Sequence, residues 1–170
     1  MPLSTRATLQ LNGTQTGALA LGTASATIAK AFDLTTTDGV GAGQADKLYQ
    51  GAFSIAASGT QDLDLAGVLL DAFAGVISMA RVKGIIVSAS PTNVNDVLVG
   101  GAAATVFSSW VGSATDKVRL RPGALLALLA GRTDATGYVT AAGTSDLLRL
   151  ANSGAGSVVT GDVVILGCSA

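Results

Sequence analysis

Turn-forming residues cut the chain into short pieces from residue 47 to residue 167, and this spacing limits the possible folds more than any other feature. Ser-Gly stands at 58–59, Ser-Pro-Thr-Asn at 90–93, Gly-Gly at 100–101, Arg-Pro-Gly at 121–123, Asp-Ala-Thr-Gly at 134–137 and Ser-Gly-Ala-Gly at 153–156. The pieces between them read KLYQGAFSIAA, TQDLDL, VKGIIVSA, DVLVG, TVFSSW, KVRLR, GALLALLA, GYVTAA, DLLRLA and SVVTGDVVILG. Short apolar or alternating runs divided by Gly, Pro, Asn and Asp are strands. The chain is expected to be all-β, folded as a jelly-roll-like antiparallel β-sandwich with at most one short helix and an extended N-terminal segment.

Two runs are less plain. In DLAGVLLDAFAGVISMA (64–80), Val68, Leu69, Ala72, Phe73 and Val76 recur at helical spacing, so this is the expected place for the helix, weakened by Gly67 and Gly75. GALLALLA (123–130) is apolar throughout. It follows an Arg-Pro-Gly turn and spans only about two helical turns, which favours a strand.

Ahead of the sandwich, ATLQL (7–11) alternates, with Ala7, Leu9 and Leu11 on one face and Thr8 and Gln10 on the other. ATIAKAFDL (26–34) sets Ile28, Phe32 and Leu34 on a common face, shared by Lys30 with its head extended to water. The polar, Gly-rich TTTDGVGAGQAD (35–46) then reads as a loop or linker. Residues 1–45 are therefore expected as an extended arm with its linker, and residues 46–170 as the sandwich. GTQDLDL (59–65) and GTSDLLRL (143–150) echo one another, and GTQTGALAL (13–21) more loosely; the match fits repeated turn-then-strand geometry and is too short for a repeat architecture.

Composition removes several functions. There is no histidine, which takes away Ser-His-Asp and Cys-His nucleophile pairs and HExxH zinc sites. Ten basic residues against eleven acids, all aspartate, give a net charge of −1 with no basic cluster, and aromatics are 4% of the chain, so a nucleic-acid surface is not expected. The longest apolar stretch, 66–80, is shorter than the ~20 residues of a spanning helix and is interrupted by Asp71. The opening residues lack the apolar core of a secretory signal. The single Cys168 forms no internal disulfide and is expected as a small buried apolar side chain.

The remaining chemistry is thin. Asp62 and Asp64 fall on one strand face about 7 Å apart, a spacing compatible with a carboxylate pair, but the alternation also makes them the solvent side of a strand whose Leu63 and Leu65 face the core. GVGAG (39–43) has neither the Lys-Ser/Thr of a P-loop nor the spacing of a dinucleotide fingerprint. TTTDG (35–39) and GRTDATG (131–137) offer one carboxylate each, too few for calcium. Asn12-Gly13-Thr14 matches the glycosylation pattern, which short sequences often match by chance. Trp110 is expected as a core or interface anchor, with sugar stacking beside Tyr49 and Tyr138 as the alternative. No catalytic residue, metal ligand or cofactor is expected.

With YQGAFSIAA, DLDLAG, ARVKGIIVSA, VGGAA, the F-x-x-W at 107–110, LRPG at 120–123, DATGYVTAAGTSDLL and NSGAGSVVTGDVVILG, the span from about Leu48 to Gly167 resembles small virion structural proteins of tailed bacteriophages, in particular head decoration or cement proteins. The resemblance rests on cadence and composition. It implies a non-enzymatic protein made in the host cytoplasm and carried on the capsid surface, with the major capsid protein and further copies of itself, as a homotrimer, for partners. A tail, fibre or baseplate protein and a carbohydrate-binding sandwich are the alternatives. Independently, hydrophobic residues at 49% and charged ones at 12%, against roughly 25% in an average domain, suit a surface covered by partners. The alternating N-terminal segments are the natural place for such contact, and Arg6, Leu9, Leu11, Ile28 and Phe32 are the expected contact residues.

Overall fold

The computed structural model describes residues 2–101 and 104–170. Ala102 and Ala103, part of the VGGAA segment, lie outside the described residues. The fold is all-β, with thirteen strands and no helix among the described residues: β1 Thr5–Leu19, β2 Gly22–Thr36, β3 Lys47–Ile55, β4 Thr60–Asp64, β5 Leu69–Leu70, β6 Val76–Ile77, β7 Arg81–Ala89, β8 Val97–Gly100, β9 Lys117–Leu120, β10 Leu125–Leu129, β11 Tyr138–Val139, β12 Leu147–Asn152 and β13 Val159–Cys168. Nearly all the turns read from sequence separate consecutive strands, and the GALLALLA run supplies β10.

Two antiparallel sheets face each other. One has the order β10-β7-β13-β3 with β11 also on β7, and the other β4-β12-β8-β9. Alternation on each strand sends one set of side chains inward. Phe53, Ile55, Val82, Ile85, Val87, Val163 and Ile165 from the first sheet meet Leu63, Val97, Val99, Leu148 and Leu150 from the second, with Ile77, Met79 and Phe107 closing the core. The result is a β-sandwich. The two echoed segments turn out to be neighbours, since β4 and β12 pair with Leu63 opposite Leu148 and Asp62 opposite Arg149.

The register between β7 and β13 slips between Leu166 and Gly167, leaving Lys83 as the extra residue of a bulge. Its buried stem carries Nζ to the carbonyl of Asp134, 2.7 Å away. That bond ties the loop after β10 to the central strand.

The expected helix at 64–80 is not formed. Asp71 Oδ1 accepts the backbone N–H of Phe73 and of Gly75, both at 2.8 Å, and Ala74 takes φ 63°, so the chain doubles back into the short β5–β6 hairpin. Aspartate offers the backbone a local partner that competes with the helical one, and helical spacing alone does not register this.

The Gly-rich stretch after β2 is more structured than a linker. Ala45 is buried and its N–H bonds Thr37 O at 2.9 Å, while Gln44 Oε1 accepts Gly41 N–H at 2.9 Å. The loop closes on itself and lies against Cys168, which is fully buried.

Candidate interaction surface

β1 and β2 form a separate two-stranded sheet, fifteen residues on each side, joined through Ala20–Leu21 with Leu19 opposite Gly22. At about 3.4 Å per residue the ribbon is about 50 Å long. Its register sorts the side chains onto two unlike faces. On one, Ala7 stands opposite Leu34, Leu9 opposite Phe32, Leu11 opposite Lys30 and Gly13 opposite Ile28. On the other are Arg6, Thr8, Gln10, Asn12, Thr14 and Thr16 of β1, against Thr35, Asp33, Thr27 and Ser25 of β2.

Leu34 at the base is buried, whereas Leu9, Leu11, Ile28 and Phe32 are 55%, 62%, 59% and 58% exposed. Lys30 reaches toward the Phe32 ring, its Nζ 6.0 Å from the centroid. Four of the five expected contact residues therefore form one apolar stripe. Arg6 stands apart on the polar face, where Nε donates to Asp33 Oδ2 at 2.9 Å. This guanidinium holds the Asp33 carboxyl below the usual carboxylate range, with a smaller contribution from Arg132.

A two-stranded ribbon in water is marginal on its own, and among the described residues neither of its outer edges has a neighbouring strand. An exposed contiguous apolar stripe on such a ribbon is the mark of a contact surface.

Two further apolar surfaces were not apparent from the sequence. The β5–β6 hairpin leaves Val68, Leu70, Phe73 and Val76 exposed, Phe73 at 74%. The outer face of the first sheet presents three cross-strand rows: Leu48, Leu166, Gly84 and Leu129; Gln50, Val164, Ile86 and Ala127; Ala52, Asp162, Ser88 and Leu125. The base of the β1–β2 ribbon stands over the first row. Between them is a cleft of about 220 Å³ lined by Thr5, Arg6 and Ala7 on one side and Leu48, Gly84, Ile86, Leu129, Val164 and Leu166 on the other. The signal for this face lay in GIIVSA and VVIL, strands apolar at successive positions and hence on both faces.

The residues weighed for chemistry have structural roles. Leu63 and Leu65 are buried, and Asp62 accepts from Arg149 Nε and Nη2, each at 2.7 Å, across the β4–β12 pair. Asp64 Oδ1 accepts Ala66 N–H at 3.0 Å. Asp134 Oδ1 accepts the N–H groups of Thr136 and Gly137 at 2.8 and 2.9 Å, which lowers its pKa. Among the described residues no group of three or more Cys, Asp, Glu or His is placed to hold a metal ion. Trp110 donates Nε1–H to Phe107 O at 3.0 Å, and it, Tyr49 and Tyr138 are partly buried and pack against the core.

No protein-family model, no curated protein and no solved structure matches the chain.

Proposed function

We propose that this is a structural protein of a tailed-bacteriophage virion, which binds the outer surface of the capsid and stabilises the shell as a decoration or cement protein. The observation that carries the reading is the β1–β2 ribbon, about 50 Å long, whose stripe of Leu9, Leu11, Ile28 and Phe32 is left exposed among the described residues. A projecting adhesive strip contributes little to a solitary molecule and much to one repeated on a lattice. The exposed β5–β6 hairpin, with Phe73 at its tip, is a second apolar contact suited to a shell. The sequence resemblance supplies the biological setting, with the major capsid protein and other copies of this chain as partners and the capsid surface as the location.

Copy number tests the proposal. Quantitative mass spectrometry of purified particles is expected to find this chain in hundreds of copies, in fixed ratio to the major capsid protein. A handful of copies would move it to the tail, fibre or baseplate. Absence from particles would overturn the virion reading.

A further inference from the structure

The two outer edges of the ribbon are not alike. On β2, Lys30 and Asp33 interrupt the strand and leave only Gly22–Ala29 without charge, and a lysine on an edge strand guards it against further pairing. β1 has no such guard. From Ala7 to Leu19 it carries neither charge nor proline, and its register on β2 runs without a bulge. Every residue from Thr8 to Asp33 is exposed, and among the described residues no strand of the body pairs with β1. A long, regular, uncharged edge is a template for one more strand.

The properties of this edge select its occupant. An incoming strand must be extended, uncharged over the same length and open along an edge of its own, and β1 of a second copy meets all three conditions. Self-pairing of a charged edge brings like charges together; here there are none to repel. It also supplies what the ribbon lacks, because two strands are marginal alone whereas two ribbons joined edge to edge make a four-stranded sheet.

Symmetry then sets the register. Identical strands paired antiparallel are related by a two-fold axis, and residues opposite one another must point to the same face. Odd-numbered residues of β1 therefore face odd-numbered ones. Ala7 lines the cleft at the base of the ribbon, so the longest open overlap that keeps this parity is Leu9–Leu19, with the axis at Thr14. Leu9 then faces Leu19 of the second copy, Asn12 faces Thr16, and Thr14 faces its own equivalent, which are apolar and hydrogen-bonding pairs of the kind that stabilise antiparallel strands. The overlap carries about ten ladder hydrogen bonds, as many as a typical interface.

We propose that β1 pairs antiparallel with β1 of a second copy of this chain across a two-fold axis at Thr14, joining two ribbons into one four-stranded sheet. Leu9, Leu11, Ile28 and Phe32 of both copies then lie on one side of that sheet, so the contact widens the apolar stripe and leaves it open. The inference rests on the self-association within the proposed function, in pairs and not in the threes that the resemblance implies, and it leaves the stripe itself for the capsid.

The test uses the purified full chain, with mass in solution measured by light scattering at a series of concentrations. The wild type is expected at the mass of two chains. Thr14→Lys sets like charges opposite one another and should weaken the pair by at least about tenfold. Thr27→Lys, at the neighbouring position on β2, should leave it intact, and both variants should keep the wild-type far-ultraviolet spectrum. On oxidation Thr14→Cys should link two chains, since directly opposite Cβ atoms are about 5 Å apart. Gln10→Cys should not, because its equivalents stand about 27 Å apart along the strands, and the buried Cys168 gives no background. A monomeric wild type, a pair indifferent to Thr14→Lys or equally sensitive to Thr27→Lys, or cross-linking at residue 10 in place of residue 14 would each overturn the inference. Cosedimentation with empty capsids separates the two proposals. A pair that ignores capsids supports this contact and sinks the cement reading, whereas capsid binding by a strict monomer does the reverse. If Thr14→Lys abolished capsid binding by such a monomer, the edge would belong to a capsid strand.

Discussion

Asn95 and Asn152 meet side chain to side chain, Asn95 Nδ2 donating to Asn152 Oδ1 at 3.0 Å. Asn152 is buried at the end of β12, and its own Nδ2 serves the carbonyls of Ile55, Ala56 and Ser157, while Asn95 serves those of Gly154 and Ser157. These carbonyls lie where β3, β12 and β13 end or begin, beyond the reach of the strand ladders. Two amides thus stand in for sheet hydrogen bonds where the chain turns.

Removing that service should be costly. Asn152→Ala removes the side-chain donor to Ile55 O and the acceptor of Asn95 Nδ2 and Gly154 N–H, and is expected to lose about 3 kcal/mol, a fall of about 10 °C in melting temperature for a chain of this size. Asn152→Asp should be no better, because a carboxylate accepts but does not donate. Thermal denaturation followed by circular dichroism checks both, and an unchanged melting temperature would contradict the assignment.

Gly161 sits in β13 opposite Phe53, whose ring lies over it. A Cβ there would come within 2.1 Å of Ser88 O and 2.6 Å of the ring. Gly161→Val is expected to destabilise by at least about 2 kcal/mol through overpacking. Gly13 in the ribbon has nothing within 4 Å of the corresponding position. Gly13→Val should therefore leave the stability of the sandwich unchanged, and the contrast is read by urea denaturation of the two variants.

Asp134 makes stability depend on acid. The N–H groups of Gly137 and Thr136 favour its ionised form, so its pKa is lower folded than unfolded. With the folded value depressed, the stabilisation is present above the unfolded value, about 4, and is lost as pH falls through the folded one. Melting curves from pH 7 to pH 2 should show Asp134→Ala less stable than wild type at neutrality, with the gap narrowing on acidification. A constant gap would show that the carboxylate charge plays no part.

Burial raises the Cys168 thiol above its usual pKa, and the side chain is fully enclosed. The protonated, inaccessible thiol should resist iodoacetamide at pH 7.5 in the native protein and react fully in urea. Mass spectrometry of the alkylated chain distinguishes the two, and rapid labelling of the native form would contradict this environment.

The sandwich was legible because its turns are written in residues with few other uses. Pro122-Gly123 and the 153–156 segment leave the backbone little choice, and the alternation in DLDL and LLRLA fixes which side faces inward. The amphipathic faces at 7–11 and 26–34 were legible for the same reason. Their pairing was not, because residues 13–25 are mostly Thr, Ala and Gly and carry no apolar rhythm to set a register. The turn at Asp71 was missed because a single side chain capturing two N–H groups overrode a five-residue helical pattern. The outer sheet face was missed because a strand apolar at every position looks the same whether its second face is covered or open.

β13 runs between β3 and β7, bonding to both, and it is the last strand of the body. The ribosome thus delivers its keystone at the end. While residues 159–168 are still in the exit tunnel, β3 and β7 have no common neighbour, and the nascent body waits with two strand edges unpaired. The β1–β2 ribbon precedes them all in the chain and its ladder is wholly local, but the body on which its base rests, with Leu34 buried, is complete only when β13 has paired.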